Sequence, residues 1–383
     1  MNIATIFLIL FIIFGFLYFI MILSYSIGWF SLKVFRAADH EKLFLKVSII
    51  VPARNEAENI FFLLKDLCNQ TITNNLYEII VADDHSTDLT ALKVEAFISE
   101  HPKYSIKLLS IQGEPQSSTY KKNAIGAAVR KASGTLIITI DADCRVGPCW
   151  LESIMRFYQE KKPKMIVGPV TFHNSISLFE KMQATEFLSL IAITGGAIGI
   201  RKPIMCNGAN LAYEKAAFED VGGFGTDKFA SGDDVFLLLK MTKIYGGHSV
   251  KFLKSREAMV FTEAKKTLRE FFHQRTRWAS KNKGYGMNIL WVSFTVYMVN
   301  LLILAGVFLT FLYPELGPVI LSAILIKLII DLPILSGIIT FAKQKRMFIY
   351  SIPLIFLYPA YIVLTGALGV MASYQWKGRK IKN

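Results

Sequence analysis

The sequence is poor in cysteine and in charged residues, and both shortages exclude classes of protein. The chain has 4 cysteines in 383 residues, at Cys68, Cys144, Cys149 and Cys206. None of them forms a Cys-x-x-Cys pair, so neither a disulfide scaffold nor a zinc site is expected, and we expect reduced thiols. Charged residues make up 19% of the chain and hydrophobic residues 53%, which excludes an intrinsically disordered protein.

Acidic residues are also scarce in comparison with basic ones. The 43 Lys and Arg against 29 Asp and Glu give a formal net charge of +14. A basic soluble protein suggests nucleic acid, whereas a basic and strongly apolar protein suggests a membrane, because cytoplasmic loops collect Lys and Arg. The basic clusters of this chain border apolar runs instead of forming a stripe interleaved with aromatic residues, so no nucleic-acid partner is expected.

The N-terminal segment has no charge at all. Residues 1–32 contain no charged residue, and Ile3–Tyr25 is almost wholly apolar, which is long enough for a helix to cross about 30 Å of hydrocarbon. A secretory signal peptide fits poorly, because no basic residue precedes the run, the run is too long, and no small-x-small cleavage site closes it. We expect an uncleaved transmembrane anchor over 1–32. The basic residues that follow it predict a cytoplasmic location for the next segment: Lys33, Arg36, Lys42 and Lys46.

A second apolar region, residues 287–375, predicts about three membrane spans. They divide into Ile289–Leu312, Val319–Phe341 and Phe348–Ser373. The middle span carries Lys327 and Asp331 at i,i+4, and such a pair is expected to bond internally and face protein or a cavity. Three spans would place the basic tail, residues 376–383, outside the cell, against the positive-inside rule. Either one span is re-entrant or interfacial, or the tail breaks the rule.

Between these regions, residues 33–262 form a predicted cytoplasmic domain of alternating strands and helices. Continuous apolar strands that alternate with helices indicate an α/β fold with a mostly parallel sheet, covered on both faces. Ligands of such sheets bind beyond the carboxyl ends of the strands. The predicted strands are Val47–Val51, Tyr77–Ala82, Ser105–Ile111 and Thr135–Ile140, and the predicted helices are Glu56–Gln70, Leu89–Ser99 and Tyr120–Ala132.

Polar segments follow three of these strands. They are Pro52-Ala53-Arg54-Asn55-Glu56, Asp83-Asp84-His85-Ser86-Thr87-Asp88 and Asp141-Ala142-Asp143. Each alone is an ordinary turn or helix-cap signature. Because the carboxyl ends of parallel strands meet at one edge of the sheet, their coincidence indicates a site.

The Asp-x-Asp segment predicts a metal site. In extended backbone after a buried strand, Asp141 and Asp143 point to the same side, and two like charges held together favour a cation between them. Hard oxygen ligands favour Mg²⁺ or Mn²⁺, which complete their coordination with water and substrate phosphates. The alternative is a solvated acidic turn.

Two further motifs lie nearer the C-terminal membrane region. Asp233-Asp234 opens a predicted helix over Val235–Lys243. Residues 263–286 predict an amphipathic helix on the lipid headgroups that contains Gln274-Arg275-Thr276-Arg277-Trp278. A basic helix with a Trp anchor is its ordinary interpretation. Its apolar side is predicted from Leu268, Phe271, Phe272 and Trp278, with the basic side chains elsewhere: Lys265, Lys266, Arg269 and Arg275.

In this order the motifs resemble the membrane-embedded family 2 glycosyltransferases, which include cellulose, chitin and hyaluronan synthases and, more distantly, ceramide glucosyltransferases. The resemblance covers roughly residues 47–283. The Gln-x-x-Arg-Trp motif is specific in this context, and the Asp-x-Asp motif alone is not. The resemblance implies a GT-A fold, a nucleotide-diphosphate sugar donor and inversion at the anomeric carbon.

The resemblance also implies a role for each matching position. It implies that the nucleoside pocket contains Pro52, Arg54, Glu56 and Asp84, with Asp84 accepting a hydrogen bond from uracil, and that Lys122 approaches the diphosphate. It implies that Asp141 and Asp143 hold the metal and that Asp234 is the catalytic base. The loop that meets sugar and acceptor would contain Asn207, Gly208, Ala209, Asn210 and Asp233, and the acceptor side would contain Gln274, Arg277 and Trp278. The family often has Glu-Asp where this chain has Asp233-Asp234, which leaves the role of Asp233 open.

The function expected from these motifs is an inverting, metal-dependent transfer of a sugar from a UDP-sugar to a membrane-associated acceptor. Four spans are few for an export channel, which favours a lipid or lipid-linked glycan as acceptor. A processive polysaccharide synthase that extends a growing glycan is the first alternative. A membrane-tethered module that binds nucleotide sugars without turnover is an alternative of another class.

Overall fold

The computed structural model describes residues 3–37, 42–111, 120–225, 232–280, 284–371, 374–376 and 379–381. Lys377 and Lys382 of the predicted basic tail lie outside these residues, as do positions 281–283 of the predicted interfacial segment. The helices of the described part are α1 Ile3–Ser31, α2 Ile60–Cys68, α3 Thr90–Glu100, α4 Tyr120–Lys131, α5 Trp150–Lys161, α6 Leu178–Gly199, α7 Lys215–Asp220, α8 Asp233–Tyr245, α9 Leu268–Ala279, α10 Met287–Leu309, α11 Gly317–Ala342 and α12 Met347–Met371.

The strands form three sheets. A seven-stranded sheet has the order β3-β2-β1-β4-β8-β6-β9, a three-stranded sheet has the order β5-β10-β7, and β11 pairs with β12. The strand bounds are β1 Val47–Ala53, β2 Tyr77–Asp83, β3 Ile106–Ser110, β4 Leu136–Thr139, β5 Arg145–Val146, β6 Met165–Val167, β7 Val170–His173, β8 Leu211–Glu214, β9 Val250–Phe252, β10 Val260–Glu263, β11 Tyr374–Trp376 and β12 Arg379–Ile381.

The large sheet is mostly parallel, as predicted. Strands β3, β2, β1 and β4 pair parallel to one another, and in the described chain only β8 runs against its neighbours β4 and β6. Every residue of β2 is buried, and only Pro52 of β1 is partly exposed. Strands with helices on both faces are buried on both sides, which explains why they contain continuous apolar runs instead of alternating ones.

One predicted helix begins later than expected. The helix predicted over Glu56–Gln70 begins at Ile60, because residues 56–59 form a turn. The backbone N–H groups of Asn59 and Ile60 both donate to the carbonyl oxygen of Glu56, at 3.0 and 2.9 Å. Glu56 therefore lies in the loop at the edge of the sheet and not on the helix.

Helix α6 was not predicted, and it joins the sheet to the membrane helices. It begins with a capping box in which Ser177 and Glu180 exchange hydrogen bonds, and it packs against α1, α11 and α12. Its contact with α1 is very close: a Cβ added at Gly28 would lie 2.0 Å from the carbonyl oxygen of Gly196, and one added at Gly196 would lie 2.2 Å from that of Tyr25. Small residues that let two backbones approach in this way are typical of helix pairs in membranes.

The C-terminal end of α1 is fixed by the residue pair Trp29 and Lys254. The Trp29 ring is 1% exposed and meets Phe252 and Phe341 edge-on. The Lys254 ammonium, just after β9, donates to the carbonyl oxygens of Trp29 and Leu32 at 2.8 and 3.1 Å. Because the last carbonyls of a helix lack partners within the helix, this lysine caps α1.

Within the described residues, four helices are long and apolar enough to cross a membrane: Thr5–Ser31, Met287–Leu309, Pro314–Ala342 and Met347–Gly369. The last three correspond to the three predicted C-terminal spans. The predicted internal pair in the middle one is confirmed, with 2.5 Å between Lys327 Nζ and Asp331 Oδ2. Tyr18 of α1 donates its hydroxyl to the other oxygen of Asp331 at 2.7 Å.

Candidate active site

The loops after β1 and β2 are tied together by Arg54. Its guanidinium donates to the carbonyl oxygens of Asp84 and His85, at 2.8 and 3.2 Å, and the Asp84 N–H donates to the carbonyl oxygen of Ala53 at 2.8 Å. The Asp84 carboxylate is buried and lies 3.0 Å from His85 Nδ1. The structure therefore brings Arg54 and Asp84 together at the carboxyl edge, as the motifs predict.

Further hydrogen bonds make this pair of loops rigid. The N–H of Glu56 donates to Thr90 Oγ1 at 2.8 Å, and the N–H of Thr87 donates to Asn55 Oδ1 at 2.8 Å. Asn55 and His85 both adopt left-handed backbone conformations, with φ of 52° and 55°, which these bonds hold in place. Pro52 lies at the end of β1, beside Ala82 of β2. All four predicted nucleoside residues are thus at one edge.

The Asp-x-Asp segment does not have the extended backbone that was predicted. The Cys144 N–H donates to the carbonyl oxygen of Asp141 at 3.1 Å, which closes a turn over residues 141–144. The Cys144 thiol lies next to this turn, with its Sγ 3.7 Å from Asp143 Oδ1. Burial raises the pKa of the Cys144 thiol, and the negative charges of Asp143 and Asp141 raise it further. Both carboxylates of the turn are therefore close enough to act on the same thiol.

Lys121 lies close both to the Asp-x-Asp segment and to the start of α8. Its ammonium lies 2.6 Å from Asp141 Oδ1. Burial lowers the pKa of Lys121, but the negative charges of Asp141, Asp233 and Asp234 outweigh it, and the pKa is raised above its ordinary value. The neighbouring Lys122, which the motif predicts at the diphosphate, is buried with its ammonium 5.1 Å from the centre of the Phe236 ring. Lys121 is therefore a site residue that the sequence analysis missed.

Asp234 is held at the N-terminus of α8 in a defined orientation. Its Oδ2 accepts the Gly208 N–H at 3.1 Å, and its Oδ1 accepts its neighbour's N–H, that of Val235, at 2.8 Å. The Gly208 carbonyl in turn accepts the Thr139 hydroxyl at 3.1 Å. Asn207 caps the short 3₁₀ turn Gly208–Asn210, with its Oδ1 accepting the Ala209 N–H at 3.0 Å. The predicted base and the predicted acceptor loop thus contact each other directly.

Asn210, the last residue of the predicted sugar and acceptor loop, points into the protein. It is 1% exposed. Its amide nitrogen donates to the carbonyl oxygens of Pro169 and Ala258, both at 2.8 Å, and its Oδ1 accepts the indole N–H of Trp150 at 3.2 Å. All of its side-chain hydrogen-bonding groups are used within the fold, so Asn210 supports the loop from inside the protein.

Helix α9 carries the Gln-x-x-Arg-Trp motif, but one prediction for its faces is wrong. Arg275, predicted to lie away from the apolar side of the helix, is 3% exposed and forms an ion pair with Glu186 of α6. Its guanidinium lies 4.2 Å from the centre of the Trp278 ring. Leu268, predicted on the apolar side, is 61% exposed. The buried carboxylate of Glu186 accounts for the burial of Arg275, since an arginine is buried readily only beside a counter-charge.

A family model described as glycosyl transferase family 2 matches residues 48–222, and one described as glycosyl transferase family group 2 matches residues 136–365, more than half of the chain. This chain belongs to the family 2 glycosyltransferases. The glycosyltransferase is 27% identical over 247 residues to the probable glycosyltransferase YdaM of Bacillus subtilis, covering 62% of this chain and 55% of that protein. It is 27% identical over 244 residues to the beta-monoglucosyldiacylglycerol synthase of a Nostoc species, covering 61% and 48%. The chain thus spans about half the length of these relatives.

A solved structure confirms the fold. The mannosyltransferase PcManGT from Pyrobaculum calidifontis, in complex with GDP-Man and Mn²⁺, superposes with a TM-score of 0.59 at 18% identity, covering 94% of the glycosyltransferase and 98% of that chain. At this identity the likeness concerns the fold alone. The predicted α/β fold of GT-A type, with apolar helices beside it, is confirmed.

The donor set of the glycosyltransferase fits a divalent cation. Within the described ranges no group of three or more His, Cys, Asp or Glu side chains converges as in an all-protein metal cage. Mg²⁺ is commonly held by one or two carboxylates together with substrate phosphates. Asp141 and Asp143 can supply the carboxylates. The position of the Lys121 ammonium, 2.6 Å from Asp141, shows that this point attracts positive charge.

Tyr285 is a second residue of the glycosyltransferase site that no motif indicated. Burial raises the pKa of its hydroxyl, and the charges of Asp234 and Cys206 raise it further. Its ring also lies 5.8 Å from that of Phe236 on α8. Tyr285 therefore lies close to the predicted base and to the first turn of α8. Arg277 of the motif lies on α9, next to Trp278.

Proposed function

We propose that this chain is an inverting, metal-dependent glycosyltransferase that moves a sugar from a UDP-sugar to a membrane-associated lipid or lipid-linked glycan. The observation that carries the proposal is the gathering of Asp141, Asp233 and Asp234 around Lys121, at the carboxyl edge of a GT-A sheet. The four apolar helices of the described residues, and the similarity to the beta-monoglucosyldiacylglycerol synthase of Nostoc, support a lipid acceptor.

The geometry of Asp234 suits a general base. In an inverting transfer, the acceptor hydroxyl oxygen attacks the anomeric carbon, and the bond from that carbon to the diphosphate oxygen breaks with its electron pair leaving on the diphosphate. The Asp234 carboxylate takes the hydroxyl proton. The hydrogen bond from the Gly208 N–H orients the carboxylate, and the N-terminus of α8 is a favourable place for its negative charge. General bases of this kind contribute about 10²- to 10⁴-fold to the rate.

The departing diphosphate needs positive charge. Asp141 and Asp143 would hold Mg²⁺ or Mn²⁺, which when bound supplies a Lewis acid to the phosphate oxygens. Lys121 adds a cation beside Asp141, and Arg277 offers a guanidinium that forms bidentate bonds with phosphate. At the other end of the edge, Arg54, Glu56 and Asp84 form the nucleoside wall together with Pro52.

We assign the catalytic domain, residues 33–262, to the cytoplasmic side. The anchor over 1–32 precedes it, the interfacial helix region 263–286 follows it, and the membrane region 287–375 and the tail 376–383 complete the chain. Basic residues directly after α1, beginning with Lys33 and Arg36, support this orientation.

The test uses purified protein in nanodiscs with a panel of labelled UDP-sugars and extracted lipids. We expect Asp234→Asn to lower transfer at least about 10²-fold while nucleotide binding stays near normal. Asp220→Asn is the matched control, because Asp220 is also an aspartate of the catalytic domain, and its carboxylate accepts the Tyr245 hydroxyl at 2.6 Å. Wild-type turnover by Asp234→Asn would show that the base is another group.

The products separate the alternatives. Label in the organic phase supports a lipid acceptor, and a polymer that stays in the aqueous phase indicates a processive polysaccharide synthase. Nucleotide-sugar binding without any product, in protein whose fold is intact, indicates a binding module.

A further inference from the structure

A cavity of about 820 Å³ lies between the membrane helices, α6 and α9. Residues from α1, α6, α9, α10, α11 and α12 line it, and most are aliphatic or aromatic. Its size is that of a site for a small organic ligand. Because four of these helices can cross a membrane, a molecule inside the cavity would share its environment with acyl chains.

The charged side chains that line the cavity balance one another. Among its described lining residues there are two cations, Arg275 and Lys327, and two anions, Glu186 and Asp331. Arg275 pairs with Glu186, and Lys327 pairs with Asp331. The lining therefore has no surplus positive charge. A phosphate brought into such a low-dielectric space would lack a counter-ion, which is strongly unfavourable.

The cavity nevertheless offers hydrogen bonds to an uncharged ligand. Arg275 is 3% exposed, and its Nε and Nη1 have no hydrogen-bond partner among the described residues. Buried donors without partners are unfavourable, and a hydroxyl or ester carbonyl oxygen would satisfy them without adding charge. The Tyr361 hydroxyl, 3.4 Å from Glu186 Oε1, lies beside them on the cavity wall.

The cavity wall leads to the predicted base. Met205 lines the cavity, and three residues later Gly208 donates its N–H to Asp234. Since an extended chain spans at most about 3.6 Å per residue, the Cα atoms of Met205 and Gly208 are no more than about 11 Å apart. Trp278, which also lines the cavity, is one residue from Arg277 on α9. A lipid bound in the cavity, with its polar oxygens beside Arg275, can thus extend a hydroxyl toward the base.

We propose that this cavity binds the acceptor, and that the acceptor is an uncharged lipid with a free hydroxyl, such as a diacylglycerol, instead of a lipid phosphate. The inference rests on the proposed function and names its acceptor class. The acceptor hydroxyl loses its proton to Asp234 and forms the new bond to the anomeric carbon, and the nucleoside diphosphate leaves.

The test compares two acceptors and two variants in nanodiscs. The acceptors are dioleoylglycerol and undecaprenyl phosphate, each offered with the UDP-sugar that gives turnover. In Ala367→Phe, the new ring fills the cavity from α12, and in Leu364→Phe the same ring is added on that helix at a residue that is 47% exposed and outside the lining. We expect transfer to dioleoylglycerol only, and an acceptor KM at least about tenfold higher for Ala367→Phe alone.

Release of UDP without acceptor is measured in parallel, to check the donor half of the site. Transfer to undecaprenyl phosphate but not to dioleoylglycerol would overturn the acceptor class. An acceptor KM of Ala367→Phe equal to that of Leu364→Phe would overturn the cavity as its site. If neither acceptor is glycosylated and no UDP is released by folded protein, the proposed function itself fails, and the inference with it.

Discussion

The carboxyl edge of the sheet and the membrane-facing side of the domain are organised by different interactions. At the edge, short loops after parallel strands hold one another through polar contacts, such as Arg54 with the carbonyls after β2 and Lys121 with Asp141. On the membrane side, contacts are backbone on backbone, as between Gly28 and Gly196, or ion pairs of residues far apart in sequence, as between Glu186 and Arg275. In the proposed function the edge provides the chemistry, and the membrane side fixes where that chemistry takes place. A substitution that disrupts the carboxyl edge should therefore leave the membrane-facing side intact, and the reverse should also hold.

At the carboxyl edge, the substitution with the largest expected effect is Asp143→Ala. We propose that Asp143 holds the cation, so its loss should lower transfer by about 10²- to 10³-fold, because metal ions supply several kcal/mol of charge stabilisation. Titration calorimetry with UDP should lose its dependence on Mn²⁺, while the thermal midpoint in nanodiscs stays unchanged. Glu95→Ala, at an exposed position of α3, is the control. The assignment is supported if Mn²⁺ raises the UDP affinity of the wild type but leaves that of Asp143→Ala unchanged. If Mn²⁺ still raises the UDP affinity of Asp143→Ala, the assignment is refuted.

On the membrane-facing side, the corresponding substitution is Gly196→Ala, which disrupts the contact between α1 and α6. The new Cβ would meet the Tyr25 carbonyl oxygen at 2.2 Å, and backbone on both helices must move. We expect a loss of about 2–3 kcal/mol in stability, measured as a lower thermal midpoint in nanodiscs, with UDP binding by the folded fraction retained. Gly15→Ala, in α1 but with no atom within 4 Å of its Cβ, is the matched control. Equal midpoints of the two variants would contradict the close contact.

The smallest effect concerns Glu78, at the end of β2 opposite the active edge. Its buried carboxylate accepts bonds from Ser48 Oγ at 2.6 Å, Lys107 Nζ at 2.7 Å and the Ser133 N–H at 2.6 Å. Burial alone would raise the pKa of Glu78, but these bonds lower it to about 2. A pKa below the unfolded value means that the stabilisation is complete above about pH 4.5 and is lost as the pH falls toward 2.

We therefore expect Glu78→Gln to be destabilised by about 1–2 kcal/mol at neutral pH, allowing for solvent screening of the half-exposed Lys107. The difference from wild type should shrink below about pH 4.5, as measured by thermal midpoints across pH. Transfer activity per folded molecule should be unchanged, because this end of the sheet is remote from the edge. A difference that grows in acid would show that the carboxylate does not carry this stabilisation.

Contacts between residues close in sequence could be predicted better than contacts between residues far apart in sequence. Strands of continuous apolar residues reveal a parallel sheet, and the loops after them share an edge, so Arg54, Asp84 and Asp141 were predicted together. The choice between Lys121 and Lys122 was not, because neighbouring residues of a helix point in different directions and the packing of α4 decides which one faces the acids. The turn at Asp141–Asp143 was likewise missed, since it depends on one backbone hydrogen bond.

The membrane side was less predictable. Glu186 and Arg275 are 89 residues apart, and no local pattern indicates that one neutralises the other. The Ser-x-x-Glu signature at Ser177 and Glu180 marks the start of α6, but it carries no information about what covers that helix. Only the fold shows that a helix of the catalytic domain lies against the N-terminal anchor.

The glycine contact between α1 and α6 has a consequence for biosynthesis. Gly28 and Gly196 are separated by 168 positions, and at roughly 5–20 residues per second a ribosome needs about 10–30 s to make that segment. During this time α1 is already inserted, and its glycine face has only lipid or other helices as neighbours. Insertion machinery or a chaperone that shields this face would raise the yield of folded enzyme, and helices that pair through small residues would compete for it.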